Sequence, residues 1–139
     1  MEKREMEERK VVMCFLEYNG KILIARRSPK VGTYPGKWAG ISGYIEENES
    51  PYQTVLKEIS EEAGLLAEDV ELIKEGDLLS VPDKEINVLW RVHPYLFRTK
   101  TDKLKLNQEH EEPKWIKPEE IANYETLPKL PEVLKSVIE

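Results

Sequence analysis

Glu58, Glu61 and Glu62 stand within five residues of one another in the stretch LKEISEEAGL. On a helix, residues three and four apart are neighbours, so Glu58 lies against both of the others. Like charges at that spacing destabilise by a few tenths of a kcal/mol per pair. Gly64 follows almost at once, which puts the acids in the last turns of the helix, where the backbone dipole is negative and each charge costs about 0.3 to 1 kcal/mol more. A solvated acidic face is the plainest account of such a cluster, but solubility alone is better served by Lys or Arg in the last turn. A divalent cation would turn the repulsion into coordination. Hard oxygen ligands, with no His or Cys among them, suit Mg²⁺ or Mn²⁺ better than zinc. The alternating Asp or Asn pattern of a calcium loop is absent.

The helix that must carry these acids is marked at both ends. Ser50 is placed to cap it, Pro51 suits its first position, Gln53 completes a capping box and Gly64 supplies a left-handed terminator. Tyr52, Val55, Leu56, Ile59 and Ala63 fall on one stripe and are expected to face the core. Before the helix, Val11 to Tyr18 and Lys21 to Arg27 read as two antiparallel strands joined at Asn19-Gly20. The segment SPKVGTYPGKWAG reads as a loop and Ile41 to Ile45 as a short strand. After the helix, strands are expected at Val70 to Leu79, at Ile86 to Arg98 and near Trp115. Helical pieces are expected at Glu119 to Asn123 and Leu130 to Ile138. This order predicts a layered α/β or α+β domain.

Composition narrows the partners. With 27 acidic and 21 basic residues in 139, a net charge of −6 argues against a nucleic-acid polymer as ligand, which needs a basic footprint. Charged residues make up 35% of the chain and are rich in Glu and Lys, as in heat-adapted proteins. The single cysteine, Cys14, lies in the apolar run VVMCFLEY and is expected to be buried; it leaves no internal disulfide, which fits a reducing cytoplasm. The first residues, MEKREMEERK, resemble neither a signal peptide nor a span, and no segment reaches the roughly 18 apolar residues that crossing a membrane needs. The expectation is one domain over residues 1–139, with the first ten residues frayed.

Gly43, Glu49 and the run Lys57-Glu58-Ile59-Ser60-Glu61-Glu62-Ala63-Gly64-Leu65 resemble the Nudix box, the signature of hydrolases acting on a nucleoside diphosphate linked to another moiety. The order of elements around the box is similar too. The resemblance implies a mixed β-sheet sandwiched between α-helices, a nucleotide substrate, and a Mg²⁺ or Mn²⁺ cofactor that neutralises phosphate and activates water. It implies Glu58, Glu61 and Glu62 as metal ligands, with the carbonyl of Ser42 or Gly43 as an extra one. Glu61 and Glu109 are the two candidates for the base that takes the water proton. Gly43, Glu49, Lys57 and Gly64 are implied as structural members of the motif, Glu49 pairing with Lys57. The chain departs from the family at Lys57, where the family has Arg, and at Ser42, where many members have Gly. Lysine keeps the charge but loses the planar fork.

For the substrate, Arg26, Arg27, Lys30 and Lys37 flank the loop leading to the box, and Arg26 and Arg27 point to opposite faces of their strand. Trp38 and Tyr34 are candidates for stacking on a base, with burial of Trp38 as the alternative. Glu109, Glu111 and Glu112 are carried by NQEHEEPKW, and Glu109 lies six residues before Trp115. His93 is expected to be a packed or surface histidine. The reading ranks nucleoside triphosphates, oxidised ones included, ahead of ADP-ribose or nucleotide sugars. A Nudix-fold sensor that binds without cleaving and an acidic interaction domain are the rivals; a homodimer is compatible with all of these.

Overall fold

The computed structural model describes residues 5–138. In chain order its elements are β1 (Glu7–Tyr18), β2 (Lys21–Arg27), β3 (Trp38–Ala39), β4 (Ile41–Tyr44), α1 (Pro51–Ala63), β5 (Val70–Glu75), β6 (Leu79–Asp83), β7 (Val88–Thr99), β8 (His110–Ile116) and α2 (Leu130–Lys135). Short 3₁₀ turns stand at Ala67–Asp69 and Pro118–Asn123. The centre is a parallel pair, β1 with β7, from Glu7 opposite Val88 to Glu17 opposite Arg98. The remaining pairs are antiparallel: β4 and β2 on the far edge of β1, β3 and β8 on β2, and β5 and β6 on β7. The sheet is therefore mixed.

Side-chain alternation along β1 splits the core in two. Val12, Cys14 and Leu16 face α1, where they meet Val55, Ile59 and Ala63 together with Tyr95 and Phe97 from β7. Met13 and Phe15 face the other way, towards Leu130, Val133 and Leu134 of α2 and towards Val81 and Trp90. The two helices thus cover opposite faces of one sheet, as the resemblance implies. Among the described residues no helix is long and apolar enough to cross a membrane.

Three departures from the sequence reading have physical causes. The strand expected from Val11 begins at Glu7, so Glu7 to Lys10 are paired with β7 where fraying was expected; residues 1–4 lie outside the described residues. The single strand expected over Val70 to Leu79 is two, because β7 changes partner at Pro94: β5 pairs with Tyr95 to Thr99 and β6 with Val88 to Val92. Proline has no N–H to continue the ladder on that edge. The chain crosses over at Gly76, which donates its N–H to the Pro94 carbonyl at 2.9 Å and packs too closely against Pro94 and Val137 to carry a side chain. Tyr52, placed in the core stripe of the helix, is 42% exposed, and the stripe is completed by Thr54 and Glu62.

Candidate active site

Helix α1 is built as its end signals predict. The Ser50 side chain accepts from the Gln53 N–H at 3.1 Å, the Gln53 side chain accepts from the Ser50 N–H at 2.9 Å, and Gly64 closes the helix at φ 71°. No basic residue stands in its last turn, so Glu61 and Glu62 meet the dipole uncompensated there. Strand β4 crosses directly beneath the acids: a Cβ at position 43 would collide with the carboxyl group of Glu58. The missing Cβ at 43 is what lets the Glu58 side chain lie against β4.

Glu58 and Glu61 open into a cavity of about 420 Å³. Glu46, Glu109 and Arg27 line the same cavity, together with Ser42 and Gly43, so its described lining holds four carboxylates and a single cation. Arg27 is half-buried, its Nε and Nη2 donating to the Thr33 carbonyl and hydroxyl at 3.0 and 3.3 Å. An apolar and aromatic part of the lining is built from Met13, Tyr34, Val81, Trp90 and Val133. There the Trp90 indole donates to the Tyr34 hydroxyl at 2.9 Å, and that hydroxyl donates in turn to Asp83. The pair holds Tyr34, at φ 50°, as part of the wall.

Glu62 does not line the cavity. It is buried behind Glu58, its side chain 2% exposed, with Oε1 3.5 Å from Nε2 of an equally buried His110. Burial is the main cause that raises the pKa of Glu62, and the adjoining Glu58 adds to it. Glu58 is raised in the same direction, by burial first. Burial and the neighbouring Arg27 hold His110 down to about 4. Although Glu62 and His110 have the geometry of an ion pair, these shifts make them a neutral imidazole beside a carboxyl that resists ionising. Glu62 Oε2 and both ring nitrogens of His110 are buried without a hydrogen-bond partner. Among the described residues, no three His, Cys, Asp or Glu side chains are already drawn together to hold a metal ion. The donor set itself, hard oxygens around an orphaned buried carboxylate oxygen, fits Mg²⁺ or Mn²⁺.

The NUDIX domain family model matches residues 6–137. The chain belongs to the NUDIX domain family. Nucleoside triphosphatase NudI of Escherichia coli is 25% identical to it over 128 residues, spanning 86% of this chain and 89% of the relative. The MutT protein of Methanosarcina mazei Go1 is similar in structure, with a TM-score of 0.72 at 26% identity over 96% of this chain and 94% of that one. An Ap4A hydrolase of C. elegans, seen as a binary complex, shares the fold with a TM-score of 0.73 at 19% identity, over 92% and 93% of the two chains.

Within this Nudix hydrolase the residues singled out from sequence divide sharply. Glu58, Glu61, Glu109 and Arg27 come together at the cavity. Lys57 Nζ donates to both oxygens of Glu49, at 2.9 and 3.1 Å, and this contact lowers the pKa of Glu49. The other substrate candidates lie elsewhere. Arg26, one position along β2, is paired with Glu111 at 3.2 Å and Glu112 at 3.8 Å, Lys37 with Glu125 at 3.1 Å, and Trp38 packs edge-on against Tyr124. None of the three lines the cavity, because strand alternation and surface ion pairs take them away from it. His93 is half-buried in β7, and burial lowers its pKa. Sequence reasoning missed His110 and Trp90. The alternation of β7, VLWRVHPYLFRT, placed Trp90 on the same face as the buried Val88 and Val92, but nothing local pointed to His110.

Proposed function

We propose that the chain is a metal-dependent pyrophosphohydrolase that cleaves a nucleoside diphosphate linked to another moiety. The preferred substrates are nucleoside or deoxynucleoside triphosphates, oxidised ones included, and the products are a nucleoside monophosphate and pyrophosphate. The observation that carries this reading is one cavity with two unlike kinds of lining: four carboxylates with a single arginine, and an aromatic and apolar surface. A nucleotide has the same duality, with charge at one end and a flat base at the other.

Glu58, Glu61 and Glu62, with a carbonyl from Ser42 or Gly43, would hold Mg²⁺ or Mn²⁺, which when bound neutralises phosphate oxygens and lowers the pKa of water. Arg27 meets the phosphates from the side of the loop that Thr33 anchors. Glu61 or Glu109 accepts the proton of the attacking water, both carboxylates lying on the same cavity. Tyr34 and Trp90 shape the surface against which the base rests, and the pairing of their polar groups with each other and Asp83 fixes that surface, Trp90 being buried beneath Arg9 and half-buried Tyr34 standing against it. The similarity to NudI, a nucleoside triphosphatase, supports the ranking of triphosphates over ADP-ribose and nucleotide sugars.

The test is a panel of triphosphates, 8-oxo forms, ADP-ribose and a nucleotide sugar with Mg²⁺ or Mn²⁺, monitored for the monophosphate. Release of monophosphate from triphosphates is expected. Cleavage confined to ADP-ribose or the sugar would replace the substrate class, and tight binding without turnover would make the protein a sensor.

A further inference from the structure

We propose that His110 is a positioning residue for Glu62, holding that carboxylate in place for the metal through its imidazole Nε2–H. This rests on the metal site proposed above. His110 opens β8, where it pairs with Arg27 of β2 just after a bulge, and the segment before it is sewn to the end of α1. Lys105 donates its N–H to the Ala63 carbonyl at 3.1 Å and Asn107 to the Glu62 carbonyl at 3.3 Å. The Asn107 carbonyl accepts from the His110 N–H at 3.3 Å, and its side chain accepts from the Glu109 N–H at 3.1 Å. The backbone therefore fixes where the ring stands relative to Glu62, independently of any contact between the two side chains.

Between those fixed points, two buried polar groups face each other unpaired. Their side chains are each 2% exposed, Nε2 and Oε1 are 3.5 Å apart, and Glu62 Oε2 and both ring nitrogens lack partners. Buried polar atoms without partners are rare because each has given up its water without a replacement. Among the described residues four buried side-chain atoms lack partners, and three of them belong to this one pair of touching side chains; the fourth is Arg26 Nε. A small rotation of the imidazole brings Nε2 within hydrogen-bond reach of Oε1, and Oε2 is left as the carboxylate's free oxygen. An imidazole in this place gives Glu62 one orientation, whereas a ring serving only to fill space has no use for a donor aimed at a carboxylate. Groups that hydrogen-bond a ligating carboxylate typically change metal affinity 10- to 100-fold when removed.

The experiment is titration of the full chain with Mn²⁺, following free Mn²⁺ by electron paramagnetic resonance, for wild type, His110→Phe and His110→Gln, with the melting temperature of each apo protein. The Gln amide nitrogen occupies the place of Nε2, and Phe keeps the ring without a donor. His110→Phe is expected to weaken Mn²⁺ binding about 10- to 100-fold while melting at or above the wild-type temperature, and His110→Gln to bind within about three-fold of wild type. In a Glu62→Gln background, His110→Phe should add nothing further. Should the Phe variant fail to fold, His110→Asn carries the comparison, its amide being too short to reach Glu62. Unchanged affinity in the donor-free variant, or equal weakening in the Gln variant, overturns the proposal while leaving the metal site standing. Absence of Mn²⁺ binding by wild type overturns the metal site and this role with it.

Discussion

Glu49 and Glu62 stand at opposite ends of the same helix in opposite circumstances. Glu49 receives the Lys57 ammonium on both oxygens, the Thr54 hydroxyl at 3.0 Å and the Glu46 N–H at 3.2 Å. Glu62 has a neutral imidazole, a second carboxyl and one oxygen with no partner. Both acids belong to the same motif, yet one is satisfied within the chain and the other keeps an unpartnered oxygen. The difference is one of environment: a glutamate whose hydrogen bonds are complete holds the loop that leads into α1, whereas Glu62 is left electrostatically unsolved, and the proposed function gives that end of the helix the chemistry.

The largest test of that contrast lies at the unsolved end. Glu61→Gln and Glu109→Gln should differ, the residue that accepts the water proton losing about 10²- to 10⁴-fold in kcat and the other much less. Steady-state turnover of both variants at saturating Mg²⁺ decides it, and equal modest losses would show that neither is the base. Gly43→Ala comes next. The added methyl displaces the flexible Glu58 carboxyl, so turnover is expected to fall about 10-fold or more with little cost to folding. An Ala variant as active as wild type would mean that Glu58 moves freely.

A smaller effect is expected in the apo protein's response to pH. A carboxyl whose pKa is raised on folding keeps a proton that the unfolded chain has lost, so Glu58 and Glu62 withdraw stability as pH rises above their ordinary value of 4.5. His110, held at about 4 against an ordinary 6.5, acts in the opposite sense: its contribution is complete above 6.5 and is lost as pH falls towards 4. The two oppose each other between 4.5 and 6.5, and above 6.5 only the carboxyls remain. The apo melting temperature should therefore decline from pH 6.5 to 8.5, with Mg²⁺ raising it and flattening the slope. A flat apo profile would indicate that the buried acids already have partners.

The smallest effect belongs to the satisfied end. Lysine already grips both oxygens of Glu49, so Lys57→Arg should leave turnover within a few-fold, and Lys57→Met should lower it by loosening the loop. Full activity in the Met variant would remove Glu49 from the scaffold.

What could be read from sequence follows the range of each signal. Ser50, Gln53 and Gly64 act on neighbours within one helical turn, and the strand-joining Asn19-Gly20 turn acts across two residues, so their consequences were legible. The division between β5 and β6 depends on Pro94, in another strand, and was not. Alternation showed that Arg26 and Arg27 face opposite ways, but only the packed sheet decides which one meets the cavity. His110 was invisible for the same reason: its partner lies in α1, and no spacing rule connects the two.

The parallel pairing of β1 with β7 also has a temporal consequence. Its partners are far apart in the chain, as Glu17 and Arg98 show at a sequence separation of 81. Closing so long a loop is entropically costly before any contact compensates it, and parallel strands distant in sequence form slowly. A chain emerging from the ribosome can form the β1–β2 turn and the capped helix early, but it lacks the central pair until β7 has been made and the cavity until Glu109 has followed. Catalytic competence in a refolding time course should consequently trail the appearance of helix, with the active cleft among the last features to mature.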